Sequence, residues 1–359
     1  MYLQTSQYQI VSLIGQGSAH QVFKAKHNLT QQVFALKIEK CPQQGQIEGE
    51  IKILNVLNQI EGIPRLLEHG KTPDNRFLIM PQLNCSLRDL MKSQQLSLPC
   101  ILSIGLSVIK TLEQVHRKKI LHLDIKPDNI MIQSKVLKDQ KEQILIPGFI
   151  QLIDFGLSQF VGNSKFLQNV FVGSLNFASR ASHRGEQLGY KDDLESLFYV
   201  LVYLRNGKLP WSQKSSMKSK DLDILQIGQI KTSLFNTMTL SKKFPIEFSK
   251  LMSYIDELKY DEMPDYQSIK RLFINMLQTT SLSSMMDQFL TYSPNQSFNQ
   301  QGNSDIVHIP VDKLNFNNNS IETQIQEDLT DVEAKVEHLS DLIGKYTTIQ
   351  IKSILDIKY

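Results

Sequence analysis

Between Tyr8 and Lys40, apolar and polar residues alternate around a glycine turn. Tyr8, Ile10, Ser12 and Ile14 lead into Gly15-Gln16-Gly17, followed by Val22 and Phe23 and then Val33 to Ile38. A period of two predicts short strands joined by turns. Over 46–58 the period changes, and Ile47, Ile51, Leu54 and Leu57 fall on one face of a helix. Gly62-Ile63-Pro64 closes that stretch, and strands follow through Met80. After Pro81 helical segments are expected near 86–93, 99–118, 192–205 and 265–278. A strand-rich first quarter before a helix-rich remainder predicts an α+β protein of two unlike lobes, 1–82 and 83–282, with a cleft between them.

Composition changes the picture past residue 282. Ser293 to Asn303 and Asn315 to Ser320 are rich in Asn, Gln and Ser, which marks 283–320 as a low-complexity linker. From Ser283 onward there are 11 acidic and 5 basic residues, against 25 acidic and 34 basic before it. A basic globular part is thus joined to an acidic tail, either a solvated extension or an autoinhibitory contact. Within 321–359, Ile325, Leu329, Val332, Val336, Leu339, Ile343 and Tyr346 step by four and three. That seam fits a short coiled coil, or an amphipathic helix over 321–346 that docks on its own domain or on a partner.

Overall charge adds little: 39 Lys+Arg against 36 Asp+Glu, a net +3, predicts neither a nucleic-acid nor a membrane partner. Cys41, Cys85 and Cys100 form no Cys-x-x-Cys pair, which argues against a zinc ribbon or disulfide framework and for a reducing compartment. The apolar stretches Ile101 to Leu112 and Leu194 to Leu204 fall short of the ~20 residues of a membrane span and read as buried helices. Met1 to Ile14 has no signal-peptide pattern, Tyr2 excludes N-myristoylation and no prenylation cysteine ends the chain. The expected location is the cytoplasm, the nucleus or both.

Chemistry enters with Gly15-Gln16-Gly17-Ser18-Ala19-His20-Gln21-Val22. Glycines at a strand turn let backbone N–H groups approach phosphate oxygens, although a plain hairpin accounts for the turn equally well. In Phe34-Ala35-Leu36-Lys37 a lysine is embedded in an apolar strand and needs a partner. Glu50, three residues from Ile47 and beside the buried helix face, is the expected one, with Glu48 its nearest competitor. The pair alone reads either as a structural ion pair or as a phosphate grip. His122-Leu123-Asp124-Ile125-Lys126-Pro127-Asp128-Asn129 sets a carboxylate, an ammonium and an amide on one loop, and Ile153-Asp154-Phe155-Gly156 follows downstream. Such a carboxylate can take the proton of an attacking hydroxyl, the ammonium can neutralise a phosphoryl group, and the amide oxygen and Asp154 can hold a metal. This order of motifs is hard to reach by chance.

These segments resemble a eukaryotic-type protein kinase, and the later ones resemble the casein kinase I family. Ser174-Leu175-Asn176-Phe177-Ala178-Ser179 stands where most kinases have Ala-Pro-Glu, as in casein kinase I. Lys191-Asp192-Asp193-Leu194-Glu195-Ser196-Leu197 with Leu209-Pro210-Trp211, and Pro264-Asp265-Tyr266 before Leu272 and Phe273, resemble that family's central helix and closing segment. The likeness runs from about Tyr8 to about Leu277. It implies a bilobal protein-kinase fold that uses ATP and Mg²⁺ to phosphorylate serine and threonine hydroxyls of protein substrates. It implies further that Ile14, Gly15, Gly17, Val22 and Ala35 cover the nucleotide and that Lys37, held by Glu50, grips the α/β-phosphates. Met80 would back the adenine pocket and Leu83 offer it backbone hydrogen bonds. Asp124 would be the catalytic base, Lys126 the γ-phosphate contact, and Asn129 with Asp154 the magnesium ligands. Ser174 would bond to the catalytic loop, and Asp193 would brace that loop.

Departures from the family pattern shape the expectation. Leu123 replaces an arginine that clamps an activation-loop phosphate, so no activating phosphorylation is expected there. Asn176 replaces an arginine near the substrate site, and Lys165 is the only Lys or Arg between Asp154 and Ser179, which counts against a preference for substrates already phosphorylated upstream. Ala19 and His20 replace the aromatic and glycine of the nucleotide loop, predicting a less pliable loop. Ser134 to Pro147 reads as a surface insertion. Two other readings of the same residues are a pseudokinase scaffold that binds partners without efficient transfer and a small-molecule phosphotransferase.

Overall fold

The structure, a computed structural model, describes residues 7–17, 20–40, 46–72, 75–133, 144–162, 170–212, 220–235 and 237–290. The chain divides into two compact units, Met1–Ser293 and Pro294–Tyr359. The second unit lies outside the described residues, as do the 321–346 seam, most of the Ser134 to Pro147 stretch, Lys165, Ser18 and Ala19.

The alternating pattern at the start folds into an antiparallel sheet of five strands: β1 (Tyr8–Gln16), β2 (His20–His27), β3 (Val33–Glu39), β4 (Glu68–Lys71) and β5 (Arg76–Pro81), in the order β1-β2-β3-β5-β4. Successive side chains in a strand point to opposite faces. Leu36 and Ile38 of β3 join Phe77 and Ile79 of β5 in one small core with Ala25. Leu78 and Met80 point the other way, into a much larger core. Lys37, between Leu36 and Ile38 and paired with Leu78, is therefore set on the inner face by strand parity alone. Helix α1 (Gln46–Leu57) covers that face with Ile47, Ile53, Leu54 and Leu57.

The rest of the unit is mainly helical: α2 (Leu87–Ser93), α3 (Leu98–Arg117), α4 (Arg180–His183), α5 (Tyr190–Asn206), α6 (Lys220–Phe235), α7 (Ile246–Glu257) and α8 (Tyr266–Leu290). Helix α3 is long and apolar enough to cross a membrane, yet most of it is buried inside the fold, packed against α5 and α8. Gly105 lets α8 come close: a Cβ there would lie 2.5 Å from the Phe273 ring. Helix α8 continues to Leu290, past the boundary at 282 that composition suggests. Helices α4, α6 and α7 are additions to the four segments expected from periodicity. Two small sheets, β6 (Cys85–Ser86) with β8 (Ile130–Ile132) and β9 (Ile150–Leu152), and β7 (Ile120–Leu121) with β10 (Gln159–Phe160), carry the loops that line the cleft.

Candidate active site

The lysine of β3 reaches two acids from different parts of the chain. Lys37 Nζ lies 2.6 Å from Glu50 Oε2 and 2.8 Å from Asp154 Oδ1. Glu50 is buried on α1, whereas Glu48 is half exposed and pairs with Lys52 and Arg76. Burial pushes the Lys37 ammonium down, but the Glu50 and Asp154 carboxylates outweigh it, and its pKa ends above the ordinary lysine value. Burial raises the Asp154 carboxyl, and the Lys37 ammonium more than reverses that, leaving it well below the usual carboxylate range. Asp154 holds φ at +67°, a left-handed conformation that costs a non-glycine residue energy and concentrates at functional sites.

Below it, the loop after β7 gathers its polar groups around one carboxylate. Asp124 accepts from Ser174 Oγ at 2.8 Å and from Lys126 Nζ at 2.5 Å. Asn129, in a short 3₁₀ turn over Pro127–Asn129, donates its amide N–H to the Asp124 carbonyl at 2.9 Å and carboxylate at 3.1 Å. Those bonds use the amide N–H groups and leave the Asn129 amide oxygen as the acceptor of a residue that lines the cleft. Lys126 also reaches Ser174 Oγ at 3.0 Å. Ser174 follows Gly173, whose φ is +101° and where a Cβ would sit 2.8 Å from the Leu123 carbonyl, so only glycine lets the two segments meet.

Three histidine contacts hold this loop in register. His122 is fully buried, its Nδ1 accepts from the Asp124 amide at 3.2 Å, and Nε2 faces the Ile153 carbonyl at 3.1 Å. Nε2 therefore carries the proton, and burial keeps the ring neutral by lowering its pKa. The ring packs on Phe155, linking the Asp124 loop to the Asp154 turn. Asp193 of α5 accepts from the amides of His122 at 2.7 Å and Leu123 at 2.8 Å. Its other contact is His116 Nε2 at 3.0 Å, and His116 Nδ1 in turn meets the Tyr266 hydroxyl. A buried relay thus runs from the first residue of α8 to the loop. Leu123 is buried with φ at +66°, filling with hydrocarbon the position expected to carry a guanidinium.

A cavity of about 620 Å³ opens between these groups. Ile14, Gly15, Gly17, Val22, Ala35, Met80 and Leu83 line it together with Lys37, Lys126, Asn129 and Asp154. Glu50 and Asp124 stand behind the wall, reached through Lys37 and through Lys126 and Ser174. His20 also lines the cavity, its Nε2 3.8 Å from Asp154 Oδ2. Burial, with the Lys37 charge adding to it, lowers its pKa to about 4, so near neutral pH this contact is between a neutral imidazole and a carboxylate and is no ion pair.

The segment from Ser174 to Ser179 is pinned from beneath by groups that sequence reading did not single out for this task. Lys231 of α6, wholly buried, donates to the Leu175 carbonyl at 3.1 Å and the Ala178 carbonyl at 2.6 Å. Its third neighbour is His183 Nε2 at 3.0 Å. His183 Nδ1 lies 2.7 Å from the Ile224 carbonyl, which puts the ring proton on Nδ1 and leaves Nε2 to accept. Three acceptors match the three protons of an ammonium. The Tyr199 and Trp211 rings flank it, and Trp211 Nε1 donates to the Asn176 carbonyl at 2.9 Å. Burial pulls the Lys231 pKa well below the ordinary value; the three acceptors and two ring faces offset that cost.

A strand-built lobe above, a helical lobe below, a lysine shared between two carboxylates and a carboxylate–ammonium–amide loop define a bilobal kinase fold. The family model described as the protein kinase domain matches residues 8–299, and the chain belongs to that family. A probable serine/threonine-protein kinase of Dictyostelium discoideum is 32% identical over 284 residues, covering 76% of this chain and 54% of that protein. Casein kinase I homolog 2 of Schizosaccharomyces pombe is 28% identical over 281 residues, 76% of this chain and 62% of that protein. The match therefore spans between half and two thirds of the length of these relatives.

Proposed function

We propose that the protein transfers the γ-phosphoryl group of ATP to serine and threonine hydroxyls of proteins, with a casein kinase I-like substrate range. The observation that carries the reading is the Asp124 carboxylate, held at once by Lys126, Ser174 and Asn129, beside a cavity that Lys37 and Asp154 also line. In this reading Asp124 orients the substrate hydroxyl and accepts its proton, Lys126 lies where charge builds on the phosphoryl group, and Lys37 binds the α/β-phosphates. The apolar walls at Ile14, Val22, Ala35, Met80 and Leu83 hold the adenine and exclude water. Positioning and charge stabilisation supply most of the rate.

The donor chemistry fits a divalent cation: one carboxylate oxygen of Asp154 is engaged by Lys37 and the other is turned toward His20, and Asn129, whose amide N–H groups are spent on Asp124, lines the same cavity with its amide oxygen left to ligate. Asn129 and Asp154 would hold Mg²⁺, which when bound neutralises phosphate charge. Support for the casein kinase I-like range comes from the Ser174 segment and from the similarity to casein kinase I homolog 2. Asn176 puts an amide where that family pattern has a cation, so we infer that substrates already phosphorylated upstream are not preferred. Buried Leu123 supports activity that needs no activating phosphate.

A radiolabel transfer assay with casein tests the proposal. Wild type should transfer label, and Asp124→Asn should lower kcat by about 10²–10⁴-fold with ATP binding retained. Equally low transfer by both proteins would favour a scaffold that binds partners without catalysis.

A further inference from the structure

We propose that His20 is an additional metal-binding residue, and that it makes this site favour a first-row transition dication such as Mn²⁺ over Mg²⁺. The inference rests on the nucleotide-binding reading above and concerns a residue that lies where the nucleotide loop is expected to carry a glycine. His20 opens β2 and turns its ring inward over the cavity. Its Nε2 stops 3.8 Å from Asp154 Oδ2, beyond hydrogen-bond reach. Both side chains stay about one-fifth exposed, at 21% and 23%, so the gap is open to solvent and ions.

The partition of Asp154 gives this gap its meaning. Oδ1 is engaged by Lys37 at 2.8 Å, which leaves Oδ2, the oxygen facing His20, to ligate. Two donors bound to one cation at about 2.0–2.2 Å each can stand up to about 4.3 Å apart. The observed separation therefore admits an ion between them, with a small inward movement giving right-angled coordination. Asn129 lines the same cavity and has an amide oxygen to offer. A set of carboxylate and amide oxygens alone suits Mg²⁺, which takes oxygen donors and dehydrates reluctantly. An imidazole nitrogen shifts that balance, because it binds transition dications far better than it binds magnesium.

The test uses the full chain, labelled with ¹⁵N-histidine and loaded with Mn²⁺ and the β,γ-methylene analogue of ATP, whose phosphate chain contains no nitrogen. Pulsed electron paramagnetic resonance should show a ¹⁵N coupling to the bound Mn²⁺ that His20→Gln and His20→Gly both lose. In parallel, the ratio of analogue affinities measured with Mn²⁺ and with Mg²⁺ should fall at least about tenfold in both variants. Bound Mn²⁺ without nitrogen coupling in the wild type, or an affinity ratio that the substitutions leave unchanged, overturns the inference and leaves the kinase reading standing. Failure to bind the analogue with either metal overturns both. The wild-type spectrum decides the matter even if a variant does not fold.

Discussion

At the scale of single residues, Lys37 carries two duties whose effects can be separated. It neutralises Glu50 in the interior and holds Asp154 at the cavity wall. Lys37→Met should abolish phosphoryl transfer and cost about 3–5 kcal/mol of stability, because it strands a buried carboxylate. Lys37→Met combined with Glu50→Leu should recover most of that stability and none of the activity, as read by urea denaturation beside the casein assay. Recovery of both would reduce the pair to a structural contact. Strand parity made the inward position of Lys37 legible in the sequence, and helix periodicity separated Glu50 from Glu48. The orientation of His20 was not legible, because it depends on a turn conformation and on a carboxylate over a hundred positions away. His116 was hidden for a similar reason: nothing local to α3 announces that its partners are Asp193 and Tyr266.

Among the elements, α6 shows where pattern reading fails. It exposes Leu222 and Leu225 while burying Asp223 and Lys231 alongside Ile227 and Phe235, a mixture of charged and apolar buried positions that blurs the hydrophobic spacing. The mixture has a physical source. Lys231 is drawn inside by carbonyls of the Ser174 to Ser179 segment and by two aromatic faces, a set that exists only once the helices have packed. By contrast α1, α3 and α5 bury continuous apolar faces, and their spacing was enough to predict them. Because Lys231 supports the Ser174 to Ser179 segment at the helical-lobe edge of the cavity and contacts none of its strand-lobe lining, Lys231→Met should raise KM for the protein substrate about tenfold. Nucleotide Kd should stay unchanged, and that split is the mark of a positioning residue. A lower melting temperature with an unaltered KM would mean that Lys231 stabilises the fold and nothing more.

For the whole molecule, the boundary of the folded unit lies beyond the point where composition shifts. Helix α8 packs on α3 through Ile269, Phe273 and Met276 and runs to Leu290, although polar residues already accumulate from Gln278 and Thr279 onward. Truncation after Ser293 should leave a protein that melts cooperatively and still transfers phosphate, whereas truncation after Asp265 should abolish both. Melting curves and the casein assay on the two shortened chains check this, and loss of activity in the longer one would assign the remaining residues to the catalytic unit. The link from Tyr266 through His116 and Asp193 to the amides of His122 and Leu123 also bears on biosynthesis. A chain emerging from the ribosome presents its β-lobe first and its last helix late. The brace on the Asp124 loop is therefore completed only after residue 266 has been added and has cleared the exit tunnel, so on the proposed kinase reading a half-made chain should not yet modify its neighbours.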